Sequence, residues 1–160
     1  MRFIGLHLGC GKNYFPGWLN LDLDSPLADL HHDLRNSLPF PDGTFRLVHS
    51  EHLIEHLTLT EGVSLFRECY RILESGGVMR VAMPDLDYLV ERYQNDWRDQ
   101  DWLHWPGFEF IQTRAQMMNI AMREWGHKYL YNREELELRL RESGFSDVRL
   151  LHAEAVILLN

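Results

Sequence analysis

Three groups of residues have types and spacings that can do chemistry. The first is Gly9-Cys10-Gly11, where the apolar run Phe3-Ile4-Gly5-Leu6-His7-Leu8 stops at two glycines. Glycine has no Cβ and accepts positive φ, so such a turn lets the backbone come very close to a bound molecule. The second is Asp22, which ends the run Trp18-Leu19-Asn20-Leu21. An acid at a strand tip after a glycine turn is placed to accept hydrogen bonds from ribose hydroxyls. Asp24 is its rival, because residues two apart share a strand face. The third is His52-x-x-Glu55-His56. On a helix, residues four apart share a face, and two imidazoles on one face can bind a zinc ion. Such a site needs a third protein ligand and none is visible, so no metal is expected and His56 reads as a packed or hydrogen-bonded side chain. His127 and His52 are the candidates for a catalytic base, since imidazole titrates near neutrality. A capping or packing role for His127 is an equal alternative.

The elements that must position these residues follow from pattern. Residues 3–8 read as a first strand and residues 19–23 as a second, joined by a loop with a Pro16-Gly17 turn. A small strand is expected near Ala28-Leu30 and a further one at 46–50, which sets Ser50 at a strand tip. Thr58-x-x-Glu61 matches a capping box. It opens a helix with Val63, Phe66, Tyr70 and Leu73 on one face, stopped by Gly76-Gly77. Val78 to Met83 is the next strand. Asp85 is set to cap a helix that buries Leu86, Leu89, Val90 and Tyr93. Residues 95–110 are irregular. Ile111, Ala115, Met118, Met122 and Trp125 fit another helix. Asn132 with Glu135 caps a helix holding Leu136 and Leu140 and closed by Gly144. Strands are expected at 147–152 and 155–159. This alternation predicts an α/β fold with a mostly parallel sheet.

Composition narrows the class. A chain of 160 residues suits one domain, and a 45% apolar share is ordinary for a globule. The net charge of −8 and the lack of a basic run argue against nucleic acid or an anionic membrane as partner. Two cysteines, Cys10 and Cys69, make no disulfide framework. No run reaches the length of a membrane span, and the N-terminus enters a strand almost at once, with no signal peptide visible. A cytoplasmic location is expected.

The glycine turn, Asn20-Leu21-Asp22, His32-Asp33-Leu34, Leu38-Pro39-Phe40-Pro41-Asp42, Glu55-His56-Leu57 and Arg71 to Gly77 occur in that order. The series resembles the class I S-adenosylmethionine-dependent methyltransferases, in particular their small type 11 branch. It covers about residues 6–84 and resumes at 125–151. The resemblance implies a single-domain, reduced Rossmann-like methyltransferase fold, with few helices on one face. It implies a cofactor-binding half at 1–84, an acceptor-side insertion at 85–131, and a closing helix and strands at 132–160.

By the same resemblance, S-adenosylmethionine is the cofactor. Gly9, Cys10 and Gly11 would approach its methionine part, Asp22 its ribose, Asp33 and Leu34 its adenine, and Ser50 its amino-acid end. The Trp-rich segment 97–125 is either acceptor recognition or local core. One departure stands out. Asp22 follows Gly9 by only 13 positions, against about 20 in the usual dinucleotide-binding pattern, and Asn13 stands where a third glycine is usual. A full first helix cannot fit, so one sheet face is thinly covered, which invites a homodimer. Two functions are carried besides methyl transfer to a small-molecule or sugar-like acceptor. One is a cofactor-binding module without turnover. The other is a zinc hydrolase, because His52 to His56 is also similar to the inverted zinc-peptidase motif.

Overall fold

In a computed structural model, which describes residues 3–151 and 156–159, one sheet of seven strands organises the chain. The strands are β1 (Leu6–Leu8), β2 (Leu19–Asp22), β3 (Leu30–His31), β4 (Phe45–Glu51), β5 (Leu73–Ala82), β6 (Val148–Leu151) and β7 (Val156–Leu159). Their order is β3-β2-β1-β4-β5-β7-β6. The first five pair in parallel, and β7 runs antiparallel to both β5 and β6. Chain order reverses between β1 and β4. In open α/β sheets, ligands bind at that switch point, outside the carboxyl ends of the strands. The expected strands at both ends of the chain are present, but His152 and Ala155 lie outside the described residues. Among those residues, no helix is long and apolar enough to cross a membrane.

The two faces of the sheet differ in kind. On one, Leu6, Leu8, Leu21, Val48, Met79 and Val81 form the core with α1 (Leu59–Ile72) and α4 (Arg133–Glu142). The other carries a polar row in register, Asn20 beside His7, His7 beside His49, His49 beside Arg80. No helix fits between β1 and β2, as the short spacing foretold. The connecting loop does the covering instead. Phe15 stacks on His7 with ring centroids 4.1 Å apart and on His49 at 5.1 Å, and Trp18 meets Phe15 edge-on. His7, Asn20 and His49 are thereby buried. Thin cover was a sound expectation, but the polar row beneath it was not foreseen.

Asn20 holds this loop. Its side chain accepts from Phe15 N, donates to Phe15 O, Trp18 O and Asp29 Oδ2, and its Oδ1 lies 3.1 Å from His7 Nδ1. A carbonyl oxygen only accepts, so His7 carries its proton on Nδ1.

The capping signals are present where the sequence put them. Thr58 and Glu61 form a reciprocal capping box, Asp85 accepts from Asp87 N to start α2 (Leu86–Gln94), and Asn132 accepts from Glu135 N to start α4. Three expectations need correction. First, α1 ends at Ile72 and runs directly into β5, so Gly76-Gly77 lies inside the strand. Second, the buried face of α1 is Leu65, Phe66, Cys69 and Ile72, while Tyr70 is half exposed and packs edge-on against Phe145. Third, α2 buries only Leu89, and α3 (Arg114–Arg123) buries Met117 and Ala121. Val90, Tyr93 and Met118 instead line a hollow of about 330 Å³ between α2 and α3.

Tyr131 sits at the centre of the α1 and α4 layer, fully buried, and among the described residues its hydroxyl has no hydrogen-bond partner. A buried unpaired hydroxyl costs about 1–3 kcal/mol. Tyr131→Phe should therefore raise stability by about 1 kcal/mol, read as a melting temperature higher by about 2–4 °C. A lower melting temperature would mean that the hydroxyl is bonded to a buried water.

Candidate functional site

The glycine turn is stapled to the end of β2. Leu21 O accepts from Gly9 N at 2.8 Å and Cys10 N at 3.1 Å, and Gly11 N donates to Asp22 Oδ2 at 2.8 Å. Ser25 Oγ closes the loop by donating to Gly11 O. Gly9 and Gly11 have φ of +65° and +49°, the left-handed region that favours glycine. A Cβ on Gly9 would meet Leu53 Cδ1 at 2.9 Å, whereas one on Gly11 would point into open space. The turn is therefore closed on the β4 side and open above Gly11. Cys10 is buried, and burial pushes its thiol up, away from the reactive thiolate.

Asp22 is half-buried at the turn. Its Oδ2 accepts from Gly11 N, and its Oδ1 accepts from Asp24 N and Ser25 N, both at 3.1 Å. Partial burial acts to raise its pKa, but these backbone N–H groups, with Leu23 N, outweigh it and hold the acid below its ordinary range. A carboxylate offers about four lone-pair positions. Backbone N–H groups already occupy most of them, so Asp22 would share its oxygens between the turn and a ribose hydroxyl. Asp24 is exposed beyond the strand end.

The adenine candidates lie just past β3. His32 N donates to Asp22 O, which sets Asp33 and Leu34 beside the same sheet edge. Leu34 is buried. Asp33 is gripped by the Arg35 guanidinium at 2.6 Å, which lowers its pKa to about 2. Ser50 is fully buried beside Leu8, and among the described residues its Oγ has no partner. Ser50 lies in register with the core residues Leu8 and Val81 and so faces inward, and β4 continues past it to Glu51.

Across the switch point from the glycine turn lies the segment after β4. His52 has φ +49°, unusual for a residue with a Cβ. A short 3-10 turn, Ile54–His56, follows. Glu55 is 1% exposed, its Oε1 accepts from His52 Nδ1 at 3.2 Å, and among the described residues its Oε2 has no partner. Its backbone carbonyl accepts from Lys128 N at 2.7 Å, which pins the 127–129 stretch alongside. The His56 and His127 rings thus come to 5.1 Å. His127 Nδ1 is 2.9 Å from Ala121 O, so Nδ1 carries the proton and Nε2 keeps its lone pair. The sequence pattern gave no sign that His127 joins Glu55 and His56; only the return of the chain beside the 3-10 turn does so.

Aromatic rings continue outward from this cluster. Trp125, at φ +58°, lies 5.6 Å from His127, 5.6 Å from Trp102 and 5.5 Å from Phe108. A hollow of about 320 Å³ lined by Trp97, Arg98, Leu103, His104, Phe108, Glu109 and Ile111 adjoins Phe108. The sheet edge above Gly11 is an open ledge, and neither hollow lies over it.

The comparisons agree with the fold. A methyltransferase-domain family model matches residues 6–81. The chain is 27% identical over 106 residues to an uncharacterized methyltransferase of Synechocystis, covering 62% of this chain and 44% of that protein. It is 30% identical over 98 residues to a Mycolicibacterium smegmatis protein named as a probable S-adenosylmethionine-dependent methyltransferase, covering 50% and 37%. It therefore spans less than half the length of either curated relative. The solved S-adenosylmethionine-dependent methyltransferase of Thermotoga maritima superposes with a TM-score of 0.66 at 18% identity, over 97% of this chain and 80% of that one, which is a likeness of fold. Over residues 6–81, which include the glycine turn and Asp22, the chain is similar to a methyltransferase domain and to two proteins named as methyltransferases, and it shares the fold of a solved S-adenosylmethionine-dependent methyltransferase.

Proposed function

We propose that the chain transfers a methyl group from S-adenosylmethionine to a small-molecule or sugar-like acceptor. The observation that carries this reading is the glycine turn bound to Asp22 at the switch point, with open space where a Gly11 side chain would stand. The residues are of the kinds the cofactor needs: the Asp22 carboxylate at the turn would accept from a ribose hydroxyl, and Asp33, held by Arg35, with Leu34 would read an adenine edge. When bound, S-adenosylmethionine supplies an electrophilic methyl group on a sulfonium.

The acceptor would lie on the other side of the switch point, toward Glu55, His56 and His127. Trp102, Phe108 and Trp125 offer flat apolar surface for it. Transfer from the sulfonium is an in-line displacement, in which the acceptor bonds to the methyl carbon as the sulfur leaves as a thioether, so aligning the acceptor supplies much of the rate. His127 Nε2 offers a lone pair to the acceptor's proton. The shortened β1 to β2 connection favours a second reading, a module that binds the cofactor without turnover.

Calorimetry with S-adenosylmethionine and its demethylated product, followed by an acceptor screen, tests both readings. Gly11→Val would put side-chain bulk into the open space at a left-handed φ and should reduce affinity at least tenfold. Unchanged affinity in a folded variant would show the site to be elsewhere. Tight binding with no transfer to any acceptor would support the second reading.

A further inference from the structure

We propose that Glu55, His56 and His127 form a binding site for a divalent first-row transition-metal ion, with Zn²⁺ as the reference probe. The expectation of no metal rested on the want of a third ligand, and the fold supplies one. One donor atom from each of the three residues lies within 4.8 Å of the others. Metal bonds of about 2.0–2.2 Å need donors about 3–3.5 Å apart, a closure within the reach of imidazole rotation.

Two further observations point to a cation rather than to packing. Glu55 is 1% exposed, and among the described residues its Oε2 has no hydrogen-bond partner. A carboxylate oxygen buried without a partner is costly, and a cation removes that cost. The second observation concerns His127. Metal-bound imidazoles almost always donate their other N–H to a carbonyl or carboxylate, and His127 Nδ1–H does so to Ala121 O at 2.9 Å. Its Nε2 is thereby fixed as the ligating atom. His52, bonded to Oε1 of Glu55, orients that carboxylate from outside.

The donor set selects the ion. Two neutral imidazoles and one carboxylate suit zinc and its first-row neighbours better than calcium or magnesium, which take oxygen ligands. Three protein donors leave positions open, as in catalytic rather than structural zinc sites. Leu53 rests on Gly9, so the cluster begins only two residues from the cofactor turn's own packing. If the methyl-transfer reading holds, on which this part rests, the open position holds an oxygen of the acceptor and lowers its pKa. That oxygen then gives its proton to solvent water before it attacks the methyl carbon, and His127, with Nε2 on the metal, takes the place of a ligand and not of a base.

The test uses the whole chain, purified without metal-affinity resin, stripped with EDTA and titrated with ZnCl₂. The expected result is one zinc per chain by elemental analysis, and a melting temperature raised by about 5 °C or more at saturating zinc. His127→Ala and the isosteric Glu55→Gln should each weaken zinc binding at least tenfold. His104→Ala, an exposed histidine away from the cluster, should not. No stoichiometric binding of zinc, manganese or cobalt would overturn the proposal, and so would binding that survives both cluster variants. Glu55→Gln stands in if His127→Ala does not fold. Titrating the stripped chain with S-adenosylmethionine separates the two readings: cofactor binding without metal leaves the function standing even if the metal site fails.

Discussion

Asp22→Ala should weaken S-adenosylmethionine binding by about 2 kcal/mol, some thirtyfold, and should also lower the stability of the chain. Two losses combine. The bond from a ribose hydroxyl to a carboxylate is charge-assisted and worth about 1.5–3 kcal/mol. The variant also leaves Gly11 N, Asp24 N and Ser25 N without the acceptor that holds them. The turn would then have to be ordered by the ligand, at a cost to affinity. Asp24→Ala, at an exposed position, should change both quantities by less than about 0.5 kcal/mol. Calorimetry and thermal melts on both variants decide it. The reverse order of effects would place the ribose contact on Asp24 and leave Asp22 as a brace of the turn.

A loss of stability of about 2–3 kcal/mol is expected as pH falls from about 6.5 to 4, and His49 is its source. Burial holds His49 down to about 4, helped by the Arg80 charge and by His7, against an opposing pull from Glu51. The hydrogen bonds agree with a neutral ring. Arg80 Nη1–H points at Nδ1 from 3.2 Å, and Nε2 lies 3.4 Å from Glu51 Oε2, to which its proton is donated. The sign follows from the depressed folded-state value. Above pH 6.5 the ring is neutral in both states and costs nothing. Below it, the unfolded chain takes up the proton first, so unfolding is favoured until the folded ring also titrates near 4. Burial lowers His7 in the same direction. Denaturant melts at pH 7.0 and 5.5 isolate this effect, because ordinary carboxylates remain ionised in that window. His49→Gln should flatten the slope there. A wild-type curve that is already flat would mean that both imidazoles are solvated.

What could be read beforehand was local or ordered along the chain. Thr58 with Glu61, Asp85, and Asn132 with Glu135 announce helix starts by side chains that bond within three residues. The glycine turn followed by Asp22 announces a strand, a tight turn and a second strand. What could not be read depends on contacts distant in sequence. Val90 and Tyr93 have helical spacing, yet α2 packs its Leu89 edge inward and leaves them at a surface hollow. Gly76-Gly77 looked like a helix stop, because Leu73 to Ser75 fit a helix as well as a strand, and only pairing with Phe45 and the strand beyond it decides. His7 lies in an apolar run and His49 in an expected strand, and neither has a neighbour in sequence that marks it as a partner of the other. Their use of Asn20, Phe15 and Arg80 appears only when β1, β2, β4 and β5 are laid side by side. The meeting of His127 with Glu55 required the chain to return across the whole insertion.

The open ledge above Gly11 has a consequence for timing. Its shape is held by Asp22, and among the described residues nothing stands within 4 Å of where a Gly11 side chain would begin. Through that opening, entry and exit would be limited by diffusion and by the contacts themselves. Affinity in such a site resides in how long the ligand stays. Every contact that is missing, above all on an Asp22 already shared with the turn, speeds the departure of the spent cofactor as much as it loosens the fresh one.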